Sequence, residues 1–534
     1  MTLAGPGWRA RVGRWLPLGL ILLGVLVRLV AFGAVPAGFN QDEAFAGYEA
    51  YSLLTYGVDS WGYPFPCYFI SWGSGMNVLE SYLAIPFVAL LGPTEAAVRL
   101  PQLLCACLSM PVFYDLLRRM ISRRAALIGL GLLAISPWHI LLSRWGLESN
   151  LAPAFLLFGF YFLVRALEDS RFLLASAAAY GVSLYAYAIT WAVVPLTLCG
   201  WGAYLLLSGR RFPLRHLLPA VGLLFLLALP LLLFLLVNLN VIDEIVTPWF
   251  SAPKLSAMRG GDLSWRNLFS THSYWDLGNV IFLQRDFLPW NAMEGFGMFY
   301  PISLPFQLLG TVRLVRGAAE ALRARRVCWE CLVLLGALGA VLIGLMFYDV
   351  SINRVNALHF YTLVFITAGV DELFRLCRRL RLVPALTAAA YACCFLAFAG
   401  VYFTSYNDET ALHFRQGVGQ AVGFVKQQGF DRVAVDDSVY YSQILFYDQT
   451  PHEVYAASVD YAGGPAAFLD VAGFGRYTFG IDYGALEGDT AYLIPAGRAG
   501  ELAAAGYQTV VFDGYAVAWQ EGSVSTHEEL ALSF

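Results

Sequence analysis

Apolar runs long enough to cross a bilayer, about 17–25 residues each, recur eleven times along this chain of 534 residues. They lie near 15–36, 98–117, 125–142, 150–165, 172–189, 191–208, 216–237, 298–314, 328–347, 356–373 and 384–404. In hydrocarbon every backbone N–H and C=O needs a protein partner, so only helices and closed barrels span, and runs of this length are helical. The composition agrees: 58% hydrophobic, 13% charged and a mean hydropathy of +0.61 lie far from soluble-protein averages. The expectation is a polytopic α-helical membrane protein of about eleven transmembrane helices. Arg9, Arg11 and Arg14 precede the first run and Arg28 interrupts it, and its length and the further runs behind it mark a retained anchor rather than a cleaved leader.

Positive residues stay on the cytoplasmic side, so the arginines orient the chain. Alternate connections carry Arg9/11/14, Arg118/119/123/124, Arg165/171, Arg210/211/215, Arg313/316/323/325/326 and Arg375/378/379/381, which is 21 of the 34 basic residues. This puts the N-terminus in the cytoplasm of a plasma (inner) membrane. The same parity decides the apolar stretch Met76 to Gly92: counted as a span, it would throw every later arginine cluster outside. It is read instead as a juxtamembrane or shallow re-entrant helix on the outer surface.

The transmembrane domain is thus assigned to 1–404, with a first outer loop at 36–98 and an aromatic-rich second outer loop at 238–297. Residues 405–534 change character, with 17 acidic and 5 basic residues and no cysteine. Strands are expected at Arg432–Asp436, Thr490–Ile494 and Thr509–Phe512, and helices at Ala411–Gln427, Ser438–Tyr447 and Glu501–Ala505. That alternation makes a small soluble extracytoplasmic α/β domain. No glycine-rich phosphate-binding motif occurs in it, and nothing in the charge distribution points to nucleic acid. The nine cysteines form no disulfide framework, and Cys328-x-x-Cys331 has no second pair to complete a zinc site.

The stretch FNQDEAFAGYEAYSLL, Phe39 to Leu54, follows the first run and begins with two adjacent carboxylates, Asp42 and Glu43. Asn40 suits an N-cap and Glu43 then stands at the third helical position, as in a capping box. Capping accounts for Glu43. It accounts less well for Asp42, since a carboxylate beside a bilayer is costly unless it faces water or a polar cavity. Arg28, the loop Ser143 to Asn150 (SRWGLESN, with Arg144 and Glu148) and the loop Asp349 to Asn356 (DVSINRVN, with Asn353 and Arg354) fall at the same outer level. Each has a plain reading: Arg28 snorkels, Arg144 and Glu148 pair at i,i+4, and Arg354 meets headgroups. Together they suit an anionic lipid and its reacting group.

At this point the sequence resembles the GT-C membrane glycosyltransferases, especially bacterial relatives of protein O-mannosyltransferase and of the aminoarabinose transferase that modifies lipid A. Asp42-Glu43 after the first run, GYEAYSLLTYG (Gly47–Gly57), AVRLPQLL (Ala97–Leu104) and the SRWGLESN loop carry the resemblance, over roughly the first 400 residues. It implies transfer of a sugar from a polyprenyl-phosphate carrier on the outer face, with the first-loop Asp near the acceptor. One departure is visible: where the aminoarabinose transferase carries a Glu-Lys pair, this chain has Met76-Asn77, with Glu80 a turn later. The chemistry fits the residues. Asp42 would take the acceptor hydroxyl proton in an inverting transfer; Arg354, then Arg144 and Arg28, would bind the lipid phosphate; Glu43, Glu148, Asn77, Glu80 and Asn353 would support or bind substrate. The sequence shows no metal-ligand cluster, and a divalent cation is the alternative to the arginines. A transporter or flippase of a lipid-linked or anionic solute, and a ligase using a diphosphate lipid, are the competing readings.

Overall fold

The computed structural model describes residues 6–72, 75–256, 263–326, 328–462 and 470–523, with side chains from Trp15 onward. Arg9, Arg11 and Arg14, and parts of both loops and of the tail, therefore lie outside the described side chains. The helices are, in chain order, α1 (Pro6–Leu29), α2 (Gln41–Tyr56), α3 (Leu79–Leu91), α4 (Glu95–Met120), α5 (Arg123–Ile135), α6 (Pro137–Leu142), α7 (Glu148–Ala166), α8 (Phe172–Ser183), α9 (Thr190–Ser208) and α10 (Leu214–Asn238). There follow α11 (Thr271–Gly278), α12 (Leu304–Arg323), α13 (Trp329–Leu345), α14 (His359–Leu376), α15 (Val383–Tyr402), α16 (Ser405–His413), α17 (Val418–Gln428), α18 (Tyr441–Asp448), α19 (His452–Ser458) and α20 (Ala499–Ala504).

Helices occupy each of the apolar runs. Among the described residues six are long and apolar enough to cross a membrane by themselves; α1, α3, α8 and α13 are shorter apolar helices. The expected run 125–142 is broken at Ser136, which ends α5 and caps α6, with its hydroxyl accepting from the His139 N–H. Pro137 at the first helical position fixes that break. The run expected at 298–314 starts later, at Leu304, because Tyr300 takes a positive φ of 63° and Pro301 and Pro305 follow. The helix then continues to Arg323.

Two compact units divide the chain. The first comprises residues 1–32, 99–232 and 259–406, the second 33–98, 233–258 and 407–534. In the first, α12 and α14 pack backbone to backbone: a Cβ on Gly310 would stand 1.8 Å from the Phe365 carbonyl oxygen, and one on Gly369 equally close to that of Phe306. Small residues at crossings are how lipid-embedded helices gain close contact without a hydrophobic driving force. The arginine-rich connections gather through acidic partners. Asp371 bonds Arg124 (2.6 Å) and Arg313 (2.9 Å), Asp115 bonds Arg118 and Arg119, and Arg119 also pairs with Glu168. Connections that the charge count assigned to one side are thus neighbours in space.

In the second unit α2 packs against α3 around Ala50, Ala84, Val88 and Ala97. A hairpin of β1 (Ile245–Thr247) and β2 (Phe250–Ala252) joins the loop at Cys67, whose N–H donates to Ser251 O. The tail forms a seven-stranded sheet from β3 (Val433–Val435), β4 (Asp460–Ala462), β5 (Asp470–Phe474), β6 (Tyr477–Phe479), β7 (Ala491–Pro495), β8 (Gln508–Phe512) and β9 (Tyr515–Trp519), in the order β4-β5-β6-β3-β7-β9-β8. β3 runs parallel to β6 and β7; the other pairs are antiparallel. Ala434, Tyr492, Ile494, Ala516 and Ala518 face a core closed by Ala499 and Leu502 of α20. The single helix expected over 411–427 is two, because Arg415 and Gly417 both take positive φ, and a Cβ on Gly417 would lie 2.4 Å from Phe512 O. Strands β4, β5, β6 and β9 went unread in the sequence.

Candidate active-site residues and related proteins

Asn40 caps α2: its side chain accepts from the Asp42 N–H at 2.9 Å, and its own N–H donates to Glu43 Oε2 at 3.0 Å. The reciprocal bonds satisfy donors that a helix N-terminus otherwise leaves open, and a carboxylate there suits the helix dipole. Glu43 is wholly buried, whereas Asp42, one residue earlier and about 100° round the helix, is half-buried. Asn77 and Glu80 are both buried at the start of α3, with Glu80 in its first turn. Asn40, Asp42, Glu43, Asn77 and Glu80 belong to the second unit; Arg28, Arg144, Glu148, Asn353 and Arg354 belong to the first.

Two of the arginines hold helix ends. The buried Arg28 guanidinium donates to Gly24 O (2.7 Å), Ala134 O (3.0 Å) and Leu133 O (3.2 Å), and bonds His139 Nδ1 at 2.7 Å. Ala134 and Leu133 lie in the last turn of α5, where carbonyls lack helical partners and the dipole is negative. Arg144, also buried, does the same for α1, donating to Arg28 O (2.8 Å), Val30 O (2.7 Å) and Ala31 O (2.9 Å). Its guanidinium stands 5.8 Å from the Tyr402 ring centroid and 5.1 Å from that of Phe403, within cation–π range. The sequence reading of Arg28 as a snorkelling residue is therefore replaced by an inward one: carbonyls inside the bundle satisfy it. Arg144 reaches the end of α1, not only its own loop.

Arg354 is half-buried, with Nη1 on Asp349 O at 2.7 Å and the guanidinium 5.1 Å from the Phe347 ring. Its loop is pinned from three directions. Asp276 Oδ2 accepts from the Val350 N–H (3.2 Å), Asp286 Oδ2 from the Ile352 N–H (2.9 Å), and Asn356 Nδ2 donates to Ser149 O at 2.6 Å beside Glu148 at the start of α7. Burial pushes the Asp286 carboxyl up while the Ile352, Asn291 and Leu288 donors pull it back. Asn353 sits half-buried in the same loop, its carbonyl accepting from the Asn356 N–H.

Some functional candidates escaped the sequence reading. His272, Asp276 and Asp349 bring one imidazole nitrogen and two carboxylate oxygens within 4.8 Å of one another, with His272 Nε2 at 3.1 Å from Asp349 Oδ1 and 3.4 Å from Asp276 Oδ2. This nitrogen-and-oxygen donor set suits a divalent transition cation. His272 and Asp276 stand i,i+4 on α11 and were legible as a pair; Asp349 arrives from a loop remote in sequence. Glu49 of α2 and Asp59 beyond it are both wholly buried. Glu49 Oε2 accepts from the Ser60 N–H (2.9 Å), and Asp59 Oδ1 from those of Trp61 (2.9 Å) and Tyr63 (2.8 Å). Burial raises Asp59 to about 7, and burial with the neighbouring Asp59 raises Glu49 well above the carboxylate range.

Residues 78–235 match a family model described as dolichyl-phosphate-mannose-protein mannosyltransferase. Among solved structures, ArnT from Cupriavidus metallidurans in the apo state superposes with a TM-score of 0.55 at 13% identity, covering 94% of this chain and 98% of that one. The same enzyme bound to undecaprenyl phosphate gives 0.55 at 13% identity, covering 96% and 98%. The Archaeoglobus fulgidus oligosaccharyltransferase, in complex with Zn and sulfate, gives 0.50 at 13% identity, over 81% of this chain and 61% of that one. No curated protein sequence gives a significant match. The fold is that of the GT-C membrane glycosyltransferases, and the resemblance first read from Asp42-Glu43 and the stretches after it is borne out by this fold together with the mannosyltransferase family model.

Proposed function

We propose that the protein transfers a sugar from a polyprenyl-phosphate-linked donor to an acceptor hydroxyl of a protein, lipid or glycan at the extracytoplasmic face of the plasma membrane. The observation that carries the reading is the separation of two adjacent carboxylates: Glu43 is buried in the cap of α2, while Asp42 keeps a half-buried position at its first turn. The ArnT structure bound to undecaprenyl phosphate supports the lipid class of the donor. The arginine count supports the orientation.

In this reaction the acceptor hydroxyl oxygen attacks the anomeric carbon and gives its proton to Asp42. The bond from that carbon to the phosphate oxygen breaks, with inversion, and the lipid phosphate leaves with the electron pair. General-base assistance of this kind contributes about 10²–10⁴-fold. Arg354 is the residue for the leaving phosphate, since guanidinium pairs bidentately with phosphate oxygens and the pinned loop limits reorganisation. Arg28 and Arg144 hold the ends of α5 and α1. Glu148, Asn353, Asn77 and Glu80 remain candidates for substrate contact. A divalent cation held by His272, Asp276 and Asp349 would supply further positive charge for the phosphate.

The test is a panel of undecaprenyl-phosphate hexoses and pentoses offered to the purified chain in detergent together with solubilised cell-envelope material as the source of acceptor hydroxyls, with release of undecaprenyl phosphate measured. Turnover of one donor is expected, at least 10²-fold lower in Asp42→Asn. Full activity of Asp42→Asn would remove the general-base assignment, and solute accumulation in vesicles without product would favour transport.

A further inference from the structure

The entry to α2 is gripped by the C-terminal domain. Gln443 Nε2 donates to Phe39 O at 2.6 Å, and Ser442 Oγ donates to Gln41 O at 2.8 Å. These two carbonyls flank Asn40, and that of Gln41 immediately precedes Asp42. Both donors are wholly buried in the first turn of α18. Gln443 uses the rest of its amide on its own helix, its Oε1 accepting from the Tyr440 N–H at 3.2 Å, so its Nε2 is aimed by a second hydrogen bond.

Further contacts fix the same segment. The Phe39 N–H donates to Phe414 O at 2.6 Å, and the Ala37 N–H to Asn407 Oδ1 at 2.8 Å. The Phe39 ring lies 4.8 Å from that of Phe446. Gly38 has a φ of +81°, and a Cβ there would stand 2.5 Å from Phe414 O, so the approach admits no side chain. Two turns along α2, Tyr48 OH donates to Thr450 O at 2.5 Å, and a Cβ on Gly47 would lie 2.7 Å from the Phe446 ring.

Simple domain docking would need apolar contact, which Phe446 supplies. It does not call for two buried side-chain donors spent on backbone carbonyls on either side of the cap residue. We infer that Ser442 and Gln443 are positioning residues for Asp42: the soluble domain fixes the backbone from which that carboxylate projects. The inference rests on the reading of Asp42 as the general base. Misplacing a reacting group by about 1 Å can cost on the order of 10²-fold in rate, so the effect belongs in kcat rather than in donor binding.

The test uses the full chain and the undecaprenyl-phosphate sugar that the wild type consumes. Ser442→Ala and Gln443→Leu are expected to lower kcat about 10–100-fold with KM for the lipid donor within about twofold, and Ser442→Thr, which keeps the hydroxyl, is expected to restore most of it. Amide hydrogen exchange over residues 39–43 should quicken in Ser442→Ala and Gln443→Leu, and this is read without any turnover. Should Gln443→Leu fail to fold, the Ser442→Ala and Ser442→Thr pair decides. Unchanged kcat and exchange in Ser442→Ala beside an inactive Asp42→Asn would overturn the positioning role and leave the general base standing. Full activity of Asp42→Asn would overturn both, with the exchange data showing whether the bracket exists as a purely structural one.

Discussion

Replacing Glu43 and Asp42 one at a time tests the proposed division between a capping carboxylate and a general base. Glu43→Ala removes the acceptor of the Asn40 N–H, a bond of 3.0 Å, and Asn40 is itself buried at 7% exposure. A buried N–H left without a partner costs about 1–3 kcal/mol, and loss of a capping carboxylate at a helix N-terminus adds about 0.3–1 kcal/mol. The expected destabilisation is therefore about 2 kcal/mol. A unit of this size moves its melting temperature by about 2–4 °C per kcal/mol, so the shift should be near ~6 °C. Asp42→Asn keeps the shape, stays at a half-buried site, and should change stability within about 0.5 kcal/mol. Thermal unfolding of each purified variant in detergent, followed by tryptophan fluorescence, reads the stability, and undecaprenyl phosphate release reads the chemistry. The reasoning is refuted by the inverse pattern: Glu43→Ala melting like the wild type while losing turnover, with Asp42→Asn active.

Other outcomes are open to measurement. Burial holds the folded-state carboxyl of Asp59 at about 7 against an ordinary value of 3.8. The folded chain then binds a proton that the unfolded chain has released between those two values, so its stability should fall as pH rises across that window. Asp59→Asn should accordingly raise the melting temperature more at pH 8 than at pH 4.5, and equal shifts at both would refute the linkage. Gly369→Leu should prevent close approach of α12 and α14, since the added Cβ alone would meet Phe306 O at 1.8 Å; a normal melt and a monodisperse peak on gel filtration would count against that crossing. His272→Ala should weaken Zn²⁺ binding to the full chain at least tenfold by titration calorimetry, having removed the nitrogen ligand of a three-donor set; unchanged affinity would dismiss those residues as ligands.

The chain's own order of residues determined its class and much of its layout. Apolar runs of spanning length leave the backbone no choice but helix, and the helices stand where those runs lie. The capping pattern Asn40 to Glu43 was legible because caps depend on residues three apart. Breaks were less so: Ser136-Pro137 and Arg415–Gly417 end helices through local dihedrals that apolar counting ignores. Short strands such as β4 and β6, three residues each, carry too little pattern to be seen alone and exist because neighbours complete their ladders.

The destinations of long side chains lay beyond the sequence. Arg28 and Arg144 had the type and level of phosphate ligands, yet what a guanidinium meets depends on which helix end is packed against it, and here these are the ends of α5 and α1. The His272, Asp276 and Asp349 cluster and the grip of Ser442 and Gln443 on the entry to α2 likewise join segments far apart in the chain. Local energetics set helix, cap and span; only packing, which brings remote segments within hydrogen-bond distance, decided which carbonyls Arg28 and Arg144 satisfy and which side chains hold the entry to α2.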